Sequence, residues 1–329
     1  MLHQTTTGCC TSDLNPPHII KIFLGATLAS CKLRVVDCHV EILESNFFRE
    51  TDSVKQKEKQ DLLEWAVVIV NNNDIIHGKL FYARLYSQCQ NTIFVVWDFD
   101  NHHWLEMSTF LAVHSDVYAP GNHENLYILS RFNFLTVGPV HCSTIQWSRG
   151  FLANRLSDML TVPRLDEPLG KHIYYSCCSY RNRVITTLNQ FYPSIGLTDT
   201  HFHSHSPEDR LKEWYSHKVH WIAPLLNDVP NRLFDAIVTG GIPIVPESLR
   251  FLPLVRDINR DYIQFYSPLD VINPNRIHEK AIEMFNHGGT DKIAERHRYA
   301  LEHHHVDSRI DQLLNYVTDI FEIHLLKRK

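Results

Sequence analysis

Leu225-Leu-Asn-Asp-Val-Pro-Asn-Arg-Leu-Phe-Asp-Ala-Ile-Val-Thr-Gly-Gly-Ile-Pro-Ile-Val-Pro-Glu-Ser248 is the stretch that decides how the rest of this chain is read. Asp228 is placed to cap a helix and Pro230 to open it, Leu233, Phe234, Ile237 and Val238 supply its buried side, and Gly240-Gly241 end it. A short apolar strand over 242–245 follows at once. Helix, glycine pair and strand in that order make a unit of an α/β domain, and the first helical turn offers free backbone N–H groups at the positive end of the helix dipole. Such an end holds a phosphate. Asn231, Arg232 and Asp235 lie three or four residues apart on a face distinct from the apolar one, so one guanidinium and one carboxylate can meet a diphosphate and a ribose.

Outward from this stretch the chain alternates strand and helix. Apolar runs at 19–24, 33–36, 65–70 and 92–97 read as strands, followed by 116–119 and 135–140, and helical spacing recurs at 75–89 and 104–113. The charged run 49–60 reads as an exposed loop or helix surface. Beyond a helix at 148–159 and the proline-bearing segment 161–170, a strand over 171–179 leads through Arg181 and Arg183 into a helix at 184–191. A helix at 210–217, strands at 219–223 and 262–266, and helices at 277–285 and 310–326 complete the pattern. The expectation is two largely parallel α/β domains: 1–145, a linker at 146–170, and 171–329, with the terminal helix packing back on the first domain.

Asn231-Arg-Leu-Phe-Asp-Ala-(x)3-Gly-Gly-Ile-Pro-Ile-Val245 resembles the donor-binding helix of GT-B glycosyltransferases, group 1, whose usual form is Phe-Glu-Ala-(x)3-Gly-x-Pro-Val-Val. The resemblance covers residues 170–320 and implies two Rossmann-like domains facing across a cleft. It implies a soluble, cytoplasmic enzyme of polysaccharide or glycoconjugate assembly, moving a sugar from a nucleotide-sugar donor to a glycan, lipid-linked or other hydroxyl acceptor. By that resemblance Asp235 holds the donor ribose, while Arg181 or Arg183 and the helix starting near Asn231 neutralise the diphosphate without an obligatory metal or other cofactor. Glu247 and Ser248 fall where the family's sugar contacts lie. Retaining members carry a further Glu eight residues before the acidic position; Asn227 stands there, so retention and inversion both stay open.

The end of the 92–97 strand is the richest spot in the first half, because Asp98-Phe-Asp100-Asn-His102-His103 puts carboxylates and imidazoles at the carboxyl edge of a sheet, where open α/β folds bind ligands. In a GT-B arrangement Asp100 or His103 would face the acceptor and take the proton from its hydroxyl. The alternatives are a GT-A-like enzyme in which Asp98 and Asp100 hold a divalent cation, and a nucleotide- or glycan-binding protein without catalysis. His123 and Glu124 could line the same cleft. His201, His203 and His205 alternate as on one face of a strand, but lack an acidic or Cys partner for a metal site. His303-His304-His305 reads as a His-rich turn followed by a helix, similar to the C-terminal helix pattern of GT-B enzymes.

With 329 residues, 44% of them hydrophobic, the chain can build sizeable cores, and its net charge of −5 excludes a general nucleic-acid binder. Eight Cys without a Cys-x-x-Cys pair read as free thiols in a reducing compartment. Neither a signal peptide nor a transmembrane run is expected. Lys327-Arg-Lys329 offers weak peripheral contact with an anionic membrane, at about 1 kcal/mol per charge.

Overall fold

The computed structural model describes residues 20–33, 38–198 and 205–326. Most of the expected 33–36 strand, His201, His203 and the basic tripeptide at 327–329 lie outside them. The first half forms a five-stranded parallel sheet from β1 (Ile20–Leu24), β2 (Cys38–Ile42), β3 (Ala66–Asn71), β4 (Ile93–Asp98) and β5 (Val117–Pro120), in the order β2-β1-β3-β4-β5. β3 and β4 are buried along their whole length. Their side chains alternate between two cores: Val67, Ile69, Val95 and Trp97 face one, and Val68, Val70, Phe94 and Val96 the other.

In the second half β6 (Gly170–Ile173) pairs with β7 (Ile195–Thr198), and β8 (Val219–Trp221), β9 (Ile242–Pro246) and β10 (Gln264–Tyr266) form a three-stranded sheet, all parallel. Parallel bridges Leu165 to His217 and Leu169 to His220 connect the two pieces. The resulting order, β7-β6-β8-β9-β10, repeats that of the first half. Connections leaving β6 and β8 therefore diverge, and the gap beyond their carboxyl ends is the switch point at which such sheets bind ligands.

One apolar core runs through both halves, joining Trp97, Val140 and Cys142 to Phe234, Val306 and Ile310. The Val306–Leu326 helix lies against β4 and β5, with Ile310, Leu313, Val317 and Ile320 turned into that core. Among the described residues no helix is long and apolar enough to cross a membrane, and Cys31, Cys89, Cys142, Cys177 and Cys178 are free thiols.

Several local expectations need correction. The 135–140 segment is extended beside β5 but makes only one ladder bridge, Tyr118 to Thr136; Pro139 has no N–H to continue it. The 171–179 strand stops at Ile173, because Tyr175 turns the chain by accepting bonds from Cys178 N and Asn182 Nδ2. The next helix is Ser179–Asn189, so Arg181 and Arg183 sit inside it rather than before it. Asp228 does not cap the Asn231–Val238 helix; Pro230 occupies the cap position, and Asp228 Oδ1 instead accepts from Leu225 N at 2.7 Å. The 148–159 helix is broken into Arg149–Asn154 and Leu156–Thr161. A helix not foreseen, Gly289–His303, packs against Asn231–Val238.

Candidate functional site

The Asn231–Val238 helix ends in a Schellman turn: Gly241 N bonds Ala236 O and Gly240 N bonds Ile237 O, with Gly240 at φ +77°. Its buried residues run nearly all round, since Leu233, Phe234, Ala236, Ile237 and Val238 are wholly inaccessible. That enclosure removes Asp235 from solvent too. Gln146 Nε2 donates to its Oδ2 at 2.5 Å, while Oδ1 has no hydrogen-bond partner among the described residues. Burial pushes its carboxyl up to about 7, against the opposing pull of Gln146, Thr144 and Arg232. Asn231 Oδ1 accepts from Ser143 N at 3.2 Å, and Arg232 donates to the Lys171 carbonyl with its guanidinium 5.6 Å over the Trp214 ring. None of the three lines the pocket described next; all face the 141–147 segment or the start of β6.

That pocket, about 540 Å³, opens at the switch point. Its walls come from the start of the Ser179–Asn189 helix (Cys177 to Arg181), the loop after β8 (Ala223 to Asn227), the turn after β9 (Pro246, Glu247, Ser248) and the end of β10 (Tyr266). Cys178 stands at the helix cap without a side-chain capping bond, and the start of this helix forms part of the pocket wall. Arg181 is fixed by Nε to Ala223 O at 2.9 Å and Nη1 to Ile173 O at 2.7 Å. Two of its five N–H donors are thereby used and three remain for an anion. Arg183, two positions on, is exposed and off the pocket wall. His172 ties β6 to the same loop: its Nε2 accepts from Ala223 N at 3.2 Å and Nδ1 donates to Gly170 O at 2.5 Å, and burial keeps it neutral.

The loop after β8 is strained. Leu226 and Asn227 are consecutive non-glycine residues at φ +49° and +66°, held in part by Ser248 Oγ donating to Asn227 Oδ1 at 2.5 Å. Backbone of this kind costs of order 1–3 kcal/mol per residue and gathers at ligand sites. The same loop reaches the first sheet, where Val229 N donates to Asn122 Oδ1 at 3.3 Å. Asp228 lies between the two edges. Burial pushes its carboxyl up to about 7, Arg181 opposes, and Glu124 and Asp100 add to the rise.

Across this seam the first sheet presents the 98–104 turn. Asp98 is buried, accepting from Tyr118 Oη at 2.7 Å and from Asp100 N at 3.1 Å, and burial pushes it up to about 6. Its two carboxylate oxygens are thus engaged by Tyr118 Oη and Asp100 N. Asp100 Oδ2 accepts from Asn72 Nδ2 at 2.6 Å. His103 is exposed, and its Nδ1 lies 3.1 Å from Nε2 of the buried His102. His123 stacks obliquely near His141, with ring centres 5.1 Å apart. His304 and His305 are buried and structural: His304 stacks on Phe234, and His305 pairs with Asp307.

Of the residues singled out from sequence, Arg181, Asn227, Glu247 and Ser248 thus share the pocket, Asp100 and His103 share the facing edge, and Arg183, Asn231, Arg232 and Asp235 join neither. Cys177, Cys178, Tyr180 and Tyr266 in the pocket, and Asp228 at the seam, had not been given these places. A scan of protein-family models and a search of curated proteins find no match to the chain.

Proposed function

We propose that the chain is a glycosyltransferase that takes a sugar from a nucleotide donor bound in the second-half pocket and passes it to an acceptor hydroxyl at the edge of the first sheet. The observation that carries this reading is the switch-point pocket, in which one arginine with three uncommitted donors stands at the start of an eleven-residue helix. That combination suits a diphosphate, and it stabilises the charge that develops on a nucleoside-diphosphate leaving group. Glu247, the carboxylate that does line the pocket, takes the ribose hydroxyls in place of Asp235. Tyr266 and Pro246 offer apolar surface to the base. On the facing edge Asp100 or His103 accepts the proton of the acceptor hydroxyl. In this reading the two halves are the acceptor and donor sides of a GT-B enzyme.

A thermal-shift screen against UDP, GDP, ADP, CMP and dTDP tests the donor site, since a ligand bound only by the folded state raises the midpoint. One nucleotide is expected to raise it in the parent chain and not in Arg181→Ala. Absence of a shift with all five refutes the donor site, and a shift retained in Arg181→Ala refutes the role of that arginine.

A further inference from the structure

The turn that follows β4 carries more than a proton acceptor. Asp100, His102 and His103 bring one carboxylate oxygen and two imidazole nitrogens within 4.8 Å of one another. The two nitrogens, His102 Nε2 and His103 Nδ1, are 3.1 Å apart. This is a hydrogen-bond distance, and ligand atoms at about 2.0–2.1 Å on neighbouring positions of one ion are separated by about 2.9–3.4 Å, so an ion can take the place of that hydrogen bond without moving the rings apart.

The turn is also held in place by four asparagines. Asn72 Nδ2 donates to one oxygen of Asp100 at 2.6 Å. Asn101 donates to the carbonyls of Asn122 and Glu124 at 2.9 and 2.6 Å and accepts from Asn122 N at 2.8 Å. Asn125 donates to Asn101 O at 2.8 Å. Asn122 Nδ2 bonds Phe99 O at 3.0 Å and meets His102 Nδ1 at 3.1 Å. Outer partners of this kind orient ligands ahead of binding.

We propose that Asp100, His102 and His103 form a two-histidine, one-carboxylate site for a divalent transition-metal ion, open on the side where His103 meets solvent. Two imidazoles and one carboxylate select zinc, cobalt, nickel or ferrous iron over magnesium and calcium, which prefer all-oxygen shells. Three protein ligands leave coordination positions for water or a hydroxyl group, whose proton the ion makes easier to lose. The site departs from the metal-free expectation drawn from the resemblance and does not depend on the transferase reading. If that reading also holds, the ion would serve the acceptor hydroxyl from the edge where a bare Asp100 or His103 was assigned.

The test is titration of the full chain, freed of metal with EDTA and then of EDTA, with Co²⁺ and with Zn²⁺, followed by calorimetry and by the visible absorption of Co²⁺, with no nucleotide present. The parent chain is expected to take up one ion with weak d–d bands and no intense thiolate-to-metal band. His103→Ala and Asp100→Asn, at an exposed and a half-exposed position and checked for fold by circular dichroism, are each expected to weaken that site by at least about 10–100-fold, the loss produced when only an outer partner of a ligand is removed. Mg²⁺ is expected not to compete. No bound Co²⁺, equal affinity in parent and both variants, or a thiolate band that persists in the variants each overturns the site, whatever the nucleotide screen shows.

Discussion

Asp235→Asn should stabilise the protein at alkaline pH while changing little in acid. The carboxyl is fully buried with one bonded and one unbonded oxygen, and its folded pKa of about 7 compares with 3.8 for the free group. A rise of about 3 units is worth roughly 4 kcal/mol at about 1.4 kcal/mol per unit. An acid whose folded pKa exceeds its unfolded one keeps its proton longer in the folded state, so stability falls as pH rises from about 4 to about 7 and then levels. About 1.5 kcal/mol of that loss is complete by pH 5, and about 2–3 kcal/mol remains between pH 5 and pH 8. Asparagine carries no charge to bury. Its oxygen can accept from Gln146, and its amide can face Thr144 Oγ1, which has no hydrogen-bond partner among the described residues. Urea unfolding of parent and variant at pH 5, 6, 7 and 8 measures the difference directly. The variant is expected to gain about 2–3 kcal/mol on the parent across this range. A difference that stays flat would mean that Asp235 is solvated or paired in solution, and the enclosed helix described above would be wrong.

Three further perturbations separate site from scaffold. Arg181→Ala is expected to abolish the nucleotide-induced thermal shift and, by orphaning the Ile173 and Ala223 carbonyls, to cost about 1–3 kcal/mol of stability in urea, whereas Arg183→Ala leaves both within error. Gly240→Ala places a Cβ at φ +77° and 2.5 Å from Ile293 Cγ2, so unfolding should shift by about 1–3 kcal/mol toward instability, and a neutral result would exclude the Schellman turn. Burial raises Asp307, but hydrogen bonds from His305, Lys32 N and Arg149 outweigh it and hold the carboxyl at about 2. The stability it contributes, about 2–3 kcal/mol, is present above pH 4 and lost as pH falls toward 2, a slope that Asp307→Asn should flatten in acid titrations followed by circular dichroism.

The parallel sheet was legible because its central strands are apolar without interruption. Residues 65–70 and 92–97 read as buried strands, and the strands observed one residue further on, Ala66–Asn71 and Ile93–Asp98, are buried throughout. β2 was missed because its burial is that of an edge strand, with His39 and Glu41 exposed and paired to each other. The Gly289–His303 helix escaped for the opposite reason. Its sequence is polar, yet Arg296 and His297 are buried, bonded to the carbonyls of Gly240 and Val238 at the end of the neighbouring helix. Charged side chains used as caps for another element carry no apolar periodicity, so spacing alone gives no sign of their burial.

The pocket was harder to read than the sheets. Arg181 could be placed by its position after a strand, but Tyr266, Cys178 and Asn227 meet only because β6, β8, β9 and β10 lie side by side, and no local spacing encodes that. Asp235 shows how a local pattern can point to the wrong face. On a helical wheel it belongs with Asn231 and Arg232, apart from the apolar residues, and a helix packed on one side would present all three to a ligand. This helix is covered on that side as well, by the 141–147 segment that carries the chain from one half to the other. Ser143 bonds Asn231, Gln146 bonds Asp235, and Phe234 is sealed by His304 from the following turn. Amphipathicity specifies which residues prefer water only while water is the alternative. Where a second polar strand of chain lies against the helix, the same residues become an internal contact, and in the function proposed above the anion-binding role passes to the helix that starts at Ser179.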